Sequence, residues 1–210
     1  MRFLVLKIGK MTFVCFVLLS FLSFKNEKDE NAMVSFLMEY LSIKYEGRKF
    51  TDFIYVAAKS QKMYHIVSGT VEEEYIISTA KNGIGEFNGS KKTPSGLHRI
   101  REKVGDGVPI AGIIKDKKYT GKIAQIIESP ISVETDDLTT RAMHLEGIEF
   151  NLNKGGDNDS YARAIFIHGT PEEGLLGTPA SKGCIRMKNK DIVDLYDKTF
   201  VGMYIIILNN

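Results

Sequence analysis

The stretches Ile165-Phe166-Ile167-His168-Gly169-Thr170 and Ser181-Lys182-Gly183-Cys184-Ile185-Arg186-Met187 decide how this chain is read. The first is an apolar β run that closes on a histidine and a glycine. The second places a cysteine directly after a glycine and before a short strand-like triplet. A thiolate is the nucleophile in cysteine chemistry, so a base must take the thiol proton. Glycines beside both groups let backbone and substrate come close. Amide N–H groups in such a loop can hold a developing oxyanion. His168 and Cys184 are sixteen positions apart, too far for one helical face. The interval suits a strand end, a loop and a return to the same place.

Cys184 is therefore the expected nucleophile and His168 the expected general base, since imidazole titrates near neutrality. Gly183 and Cys184 are expected to supply oxyanion donors, and Ser181 to order the loop through its hydroxyl. On a strand Arg186 shares a face with Cys184. It can bind a substrate carboxylate bidentately or pair with a structural acid. Tyr161 and Arg163 follow an acidic loop, Gly155-Gly156-Asp157-Asn158-Asp159-Ser160, and are expected to wall a cleft, with Tyr161 contacting substrate. The acidic loop lacks a closing glutamate for calcium and reads as a surface turn. Cys184 has no second thiolate nearby to suggest zinc. His65, His98 and His144 read as structural or solvated. Thiol and imidazole suffice for the chemistry, so no cofactor and no metal is expected.

These residues resemble the catalytic signature of the L,D-transpeptidases, the YkuD family. The resemblance rests on Ile165 to Thr170, on Gly177-Thr178-Pro179-Ala180-Ser181 and on Gly183-Cys184-Ile185-Arg186-Met187. It continues upstream in Ser78-Thr79-Ala80-Lys81-Asn82-Gly83-Ile84-Gly85 and Thr93-Pro94-Ser95-Gly96, and covers roughly Phe53 to Leu208. The family has a histidine between serine and glycine where this chain has Lys182. A cation there depresses the thiol pKa or is simply solvated. The resemblance implies a mostly β fold, a YkuD-like β-sandwich or partial barrel with one or two short helices. It implies that a backbone carbonyl just after the histidine, here Gly169, fixes the tautomer. It also implies a cell-envelope enzyme acting on peptidoglycan stem peptides: Cys184 forms a thioester and a second stem closes a 3-3 cross-link. Three other readings use the same residues. They are an L,D-carboxypeptidase or hydrolase of peptidoglycan-linked peptides, a non-catalytic wall-binding module, and a general cysteine protease.

Composition narrows the partners. The 210 residues carry a net charge of +2 and are 43% hydrophobic. Without a dense basic cluster interleaved with aromatics, nucleic acid is not an expected partner. Arg2, Lys7 and Lys10 precede an unbroken apolar run, Met11 to Phe24, after which Lys25 to Glu30 turn polar. That order reads as an export signal or an uncleaved anchor in the inner membrane, at residues 1–25. The domain would then lie outside, periplasmic or extracytoplasmic. Cys15, inside the run, reads as an inert apolar position. Cys184 is then the lone exported cysteine, which suggests a reactive thiol.

Residues 26–50 are expected to form a helical linker and 51–210 the catalytic domain. In the linker, a helix from Asp29 to Tyr45 would bury a stripe of Ala32, Met33, Phe36, Leu37, Tyr40 and Leu41. From Phe53 onward short strands follow. A hairpin of 53–58 and 63–67 comes first, then 75–78, then 110–114 and 123–127 about a Lys-rich turn at 115–118. Strands at 139–145, 164–168 and 204–208 complete the list, with a short helix at 191–200.

Overall fold

The computed structural model describes residues 29–133 and 136–210. The described residues divide into two compact units, one of 29–50 with 69–71 and one of 51–68 with 72–133 and 136–210. The expected signal or anchor at 1–25, with Cys15, lies outside the described residues. No helix among the described residues is long and apolar enough to cross a membrane.

In the first unit, α1 covers residues 29–44 and the chain turns at Gly47. Its buried side is Val34, Leu37 and Leu41, continued by Tyr45. This corrects the expected stripe. Ala32 and Phe36 are exposed, Phe36 at 63%. At 100° per residue the 34-37-41 spacing selects a face that Ala32 and Phe36 do not share.

The second unit is the mostly β domain. β1 (Asp52–Ala57) and β2 (Lys62–Val67) form the expected antiparallel hairpin, with Tyr55 stacked on Tyr64. β3 (Thr70–Ser78) begins earlier than expected, because Val71-Glu72-Glu73-Glu74 alternates between half-buried and exposed as a strand with one wet face does. β4 (Gly96–Val104) was not expected. Its charged residues Arg99, Arg101, Glu102 and Lys103 mask the apolar positions Leu97 and Ile100.

β5 (Gly112–Lys115) and β6 (Lys118–Ile123) form a hairpin closed by Asp116-Lys117, both at positive φ. That is the twist-matched geometry of a two-residue turn. The strand expected at 123–127 is thus displaced. β6 lies along Lys118–Ile123, wholly exposed and so without an apolar pattern; residues 124–133 and 136–137 have no regular structure, and β7 (Leu138–Gly147) follows. β8 (Phe166–Gly169), β9 (Ile185–Met187), α2 (Asn189–Lys198) and β10 (Tyr204–Leu208) follow.

The strands form one sheet in the order β4-β10-β1-β2-β3-β9-β8-β7-β5-β6, with β4 also paired to β7. That last pairing closes eight strands into a ring and leaves the β5–β6 hairpin attached to β7. Two neighbouring pairs, β1 with β10 and β8 with β9, are parallel. Ile54, Val56, Ile77, Ile100, Met143, Leu145, Ile167, Ile185, Met187, Ile205 and Ile207 fill the core. α2 adds Ile192, Leu195 and Tyr196 to the same cluster.

Candidate active site

The site follows from the alternation along β8 and β9. Ile165, Ile167, Ile185 and Met187 belong to the core. Phe166, His168, Cys184 and Arg186 are the intervening residues, and on extended backbone they share the other face. In the parallel register Ile167 stands beside Ile185 and His168 beside Arg186. The strands therefore bring the histidine of one motif and the cysteine of the other together.

His168 is fully buried. Its Nδ1 lies 2.8 Å from the carbonyl oxygen of Gly169. A carbonyl can only accept, so Nδ1 carries the hydrogen and Nε2 presents its lone pair. Nε2 is buried and has no hydrogen-bond partner. That leaves Nε2 open to take a proton, and the same lack of a partner is found at Nδ1 of His65 and of His144. Gly169 has to be glycine, since a Cβ there would lie 2.7 Å from the Thr139 carbonyl and 2.8 Å from Asn189 Oδ1.

The Cys184 thiol is partly exposed. Sγ accepts from the Phe166 N–H and donates to the Ala164 carbonyl, both at 3.4 Å. Burial pushes the thiol up to about 12, with Asp136 adding to the rise; the Phe166 N–H, Arg186 and Arg163 oppose it. Burial pushes His168 below its ordinary value, opposed by Asp136 and by the Gly169 hydrogen bond. Burial thus favours the uncharged form of both groups, and the Nε2 lone pair is placed to take a thiol proton.

The loop before Cys184 is held from several directions. Ser181 Oγ donates to the Cys184 carbonyl at 2.6 Å and accepts from the Gly183 N–H at 3.2 Å. Ser181 thus orders the loop, and the Gly183 N–H is engaged at rest. Gly183 itself has φ of 139°, within the region that favours glycine. The two upstream motifs converge here. Thr93 Oγ1, fully buried, donates to the Gly183 carbonyl and accepts from Ala80 N–H. Lys81 N–H donates to the Ser181 carbonyl, and Ser181 N–H to Thr79. Lys182 has an exposed side chain, while its backbone N–H donates to Asp136 Oδ2.

Of the two uses open to Arg186, the structure holds the pairing with acids. The side chain is 2% exposed, and Nε and Nη2 donate to Asp136 Oδ1 while Nη1 donates to Glu172 Oε2 at 2.5 Å. Three of its five N–H groups are thus engaged by carboxylates, so the pairing with structural acids is the expected use that is present. Tyr161 is also elsewhere. It stacks on His144, its hydroxyl donates to Glu102, and it does not line the cavity beside the thiol. Arg163 is spread over the carbonyls of Gly85, Glu86 and Lys92.

That cavity measures about 510 Å³ and is lined by Ala164, Phe166, Asp136, Leu138, His144 and Lys117 among others. Ala164 and Phe166 are also the two backbone partners of Sγ, although neither Cys184 nor His168 is itself among the lining residues. His98 and His144 are buried and hydrogen-bonded to Gly96, Ser160 and Tyr161. His65 pairs with Asp52. Asp159 accepts from Gly155 and Ala162 N–H within its loop. Among the described residues no cluster of His, Cys, Asp or Glu could hold a metal ion.

Sequence reading missed Asp136 and Glu172. The only signal for them was Arg186, a cation in a strand of otherwise buried residues, which has to be paired if it is buried.

Residues 51–207 match the family described as the L,D-transpeptidase catalytic domain (YkuD). A curated relative, the probable L,D-transpeptidase ErfK/SrfK of Salmonella typhimurium, is 27% identical over 152 residues, 69% of this chain and 47% of the relative. The chain spans about half the length of that relative. Among solved structures, an L,D-transpeptidase from Mycobacterium smegmatis superposes with a TM-score of 0.48 at 17% identity, covering 75% of this chain and 58% of that one. Residues 123–326 of an L,D-transpeptidase from Xylanimonas cellulosilytica give 0.48 at 16% identity, with 81% and 68% covered.

Proposed function

Because the chain belongs to the L,D-transpeptidase catalytic domain family, we propose that it is a cell-envelope transpeptidase that joins peptidoglycan stem peptides through a Cys184 thioester. Residues 51–210 are the catalytic domain, 26–50 a helical linker, and 1–25 a signal or inner-membrane anchor that places the domain outside. The observation that carries the reading is the unpartnered Nε2 of His168, whose tautomer is set by Gly169.

Sγ attacks the carbonyl carbon linking the L-centre of diaminopimelate to the terminal D-alanine of a tetrapeptide, and its proton passes to Nε2. The Cys184 N–H receives the oxyanion, joined by the Gly183 N–H as that group leaves Ser181 Oγ. Collapse breaks the C–N bond. D-alanine leaves as an amine with the proton from Nε2, and the acyl group remains on sulfur. The side-chain amine of a second stem then attacks the thioester, gives a proton to Nε2, and closes a 3-3 cross-link. The proton returns to sulfur, so the cycle balances without a cofactor. Water in place of the amine gives L,D-carboxypeptidase action.

The test is mass spectrometry of the full chain incubated with disaccharide-tetrapeptide. A dimer that has lost D-alanine, absent with Cys184→Ala, is the expected result. A tripeptide alone makes the acceptor water, and unchanged substrate removes the transferase reading.

A further inference from the structure

Arg186 is the neighbour of His168 in the parallel register and lies on the same face. It is 2% exposed, as one cation between two carboxylates. Glu172 is 1% exposed and Asp136 18%. Two carboxylates against one guanidinium leave one negative charge in excess beside the imidazole. Asp136 reaches further still. Its Oδ2 accepts from the Lys182 N–H at 3.2 Å, two residues before the nucleophile, and the residue lines the same cavity as Ala164 and Phe166, the two partners of Sγ. Glu172 Oε1 accepts from the Val133 N–H. Val133 and Asp136, from the irregular segment between β6 and β7, are thus both tied to Arg186, one through Glu172 and one directly.

We propose that Asp136 and Glu172 are positioning residues: acting through Arg186 and the Lys182 backbone, they hold negative charge beside His168 and fix the loop that carries Cys184. The proposal rests on the Cys184–His168 reading above. When the thiol proton moves to Nε2, an imidazolium forms where water is excluded. A carboxylate in contact with imidazole supplies the compensating charge in other cysteine and serine sites. Here the Gly169 carbonyl occupies that contact and sets the tautomer. The charge stands one residue further along, in the Arg186 group. Orientation and charge compensation are therefore divided between two partners.

Asp136 and Arg186 act electrostatically on His168, and Asp136, Arg186 and Arg163 on Cys184, while Lys115, Asp116, Lys117 and Asp137 line the cavity that Asp136 also lines. Asp136 raises both His168 and Cys184, so removing its charge lowers both.

The test uses the full chain with Asp136→Asn and with Asp136→Glu, which restores the charge. Two readouts are taken from about pH 5 to 9: kcat/KM for stem-peptide transfer, and the acylation of Cys184 by p-nitrophenyl acetate, which needs no peptide. In Asp136→Asn the acid limb of both profiles is expected about one unit lower, with plateau kcat down about tenfold and KM changed less than about twofold. Asp136→Glu is expected to restore the limb. Profiles that superimpose in pH, including a variant merely slower throughout, overturn the proposal. If Asp136→Asn does not fold, Glu172→Gln removes the second carboxylate and is read in the same way. If the wild type acylates but makes no cross-link, the transferase reading falls while the limb still decides the role of Asp136.

Discussion

Thr93 Oγ1 donates a 2.9 Å hydrogen bond to the carbonyl oxygen of Gly183, ninety positions further along the chain. The same hydroxyl accepts from Ala80 N–H. One buried side chain thus links the Thr-Pro-Ser-Gly turn, the segment after β3 and the residue before the nucleophile. Thr93→Val keeps the volume and removes both bonds. It is expected to cost about 1–3 kcal/mol in urea unfolding, because a buried acceptor and a buried donor lose their partner. Transfer should fall by more than that loss of stability explains, since the loop bearing Cys184 is released. An unchanged kcat would show that the loop is held without it.

Gly169→Ala tests the close approach behind His168. The new Cβ would press on the Thr139 carbonyl and Asn189 Oδ1. Asn189 also holds Thr139 and Thr140 hydroxyls and the Thr170 carbonyl, so little there can yield. A loss of about 1–3 kcal/mol is expected from overpacking. The Gly169 carbonyl should shift from Nδ1, lowering kcat more than it raises KM.

Burial lowers His98 from its ordinary value to about 4, opposed by its bond to the Gly96 carbonyl. Above pH 6.5 both folded and unfolded states are neutral at this ring. As pH falls from 6.5 to 4 the unfolded chain takes the proton first, so stability is lost across that window. The loss approaches about 3 kcal/mol at pH 4. His98→Asn, which can still donate to Gly96, should flatten that part of the urea-unfolding profile. An identical slope in the two proteins would contradict the burial of a neutral ring.

At the alkaline end the Cys184 thiol behaves in the mirror sense. Its folded value is pushed up to about 12 from 9.0. Below pH 9 both states keep the proton. Between 9 and 12 the unfolded chain ionises while the folded site does not, and stability falls. Relative to Cys184→Ala, the wild type should lose on the order of 2 kcal/mol between pH 9 and 11. Parallel stability curves would mean that the folded thiol ionises no later than the unfolded one, against the effect of burial.

The sequence made the site more legible than its surroundings. His168 is visible because an apolar strand pattern closes on it before a glycine, and Cys184 because it stands between a glycine and the start of a short strand. β1, β2, β7 and β10 are visible from their apolar runs. β4 is not, because four charged residues interrupt its apolar positions, and β6 is not, because it buries nothing. The partners of Arg186 were illegible for a different reason. Asp136 and Glu172 reach it from separate connections, and no local spacing encodes a contact made only by tertiary folding.

The pairing of β1 with β10 governs when this domain can exist at all. β10 lies between β1 and β4, and the Tyr55 hydroxyl is bonded to Asn210 across 155 positions of chain. Without β10 there is no partner for one side of β1, and the ring cannot be completed. Such long-range closure is slow compared with local pairing. The barrel is thus assembled by a search across most of the domain's sequence, which no local hairpin can shorten.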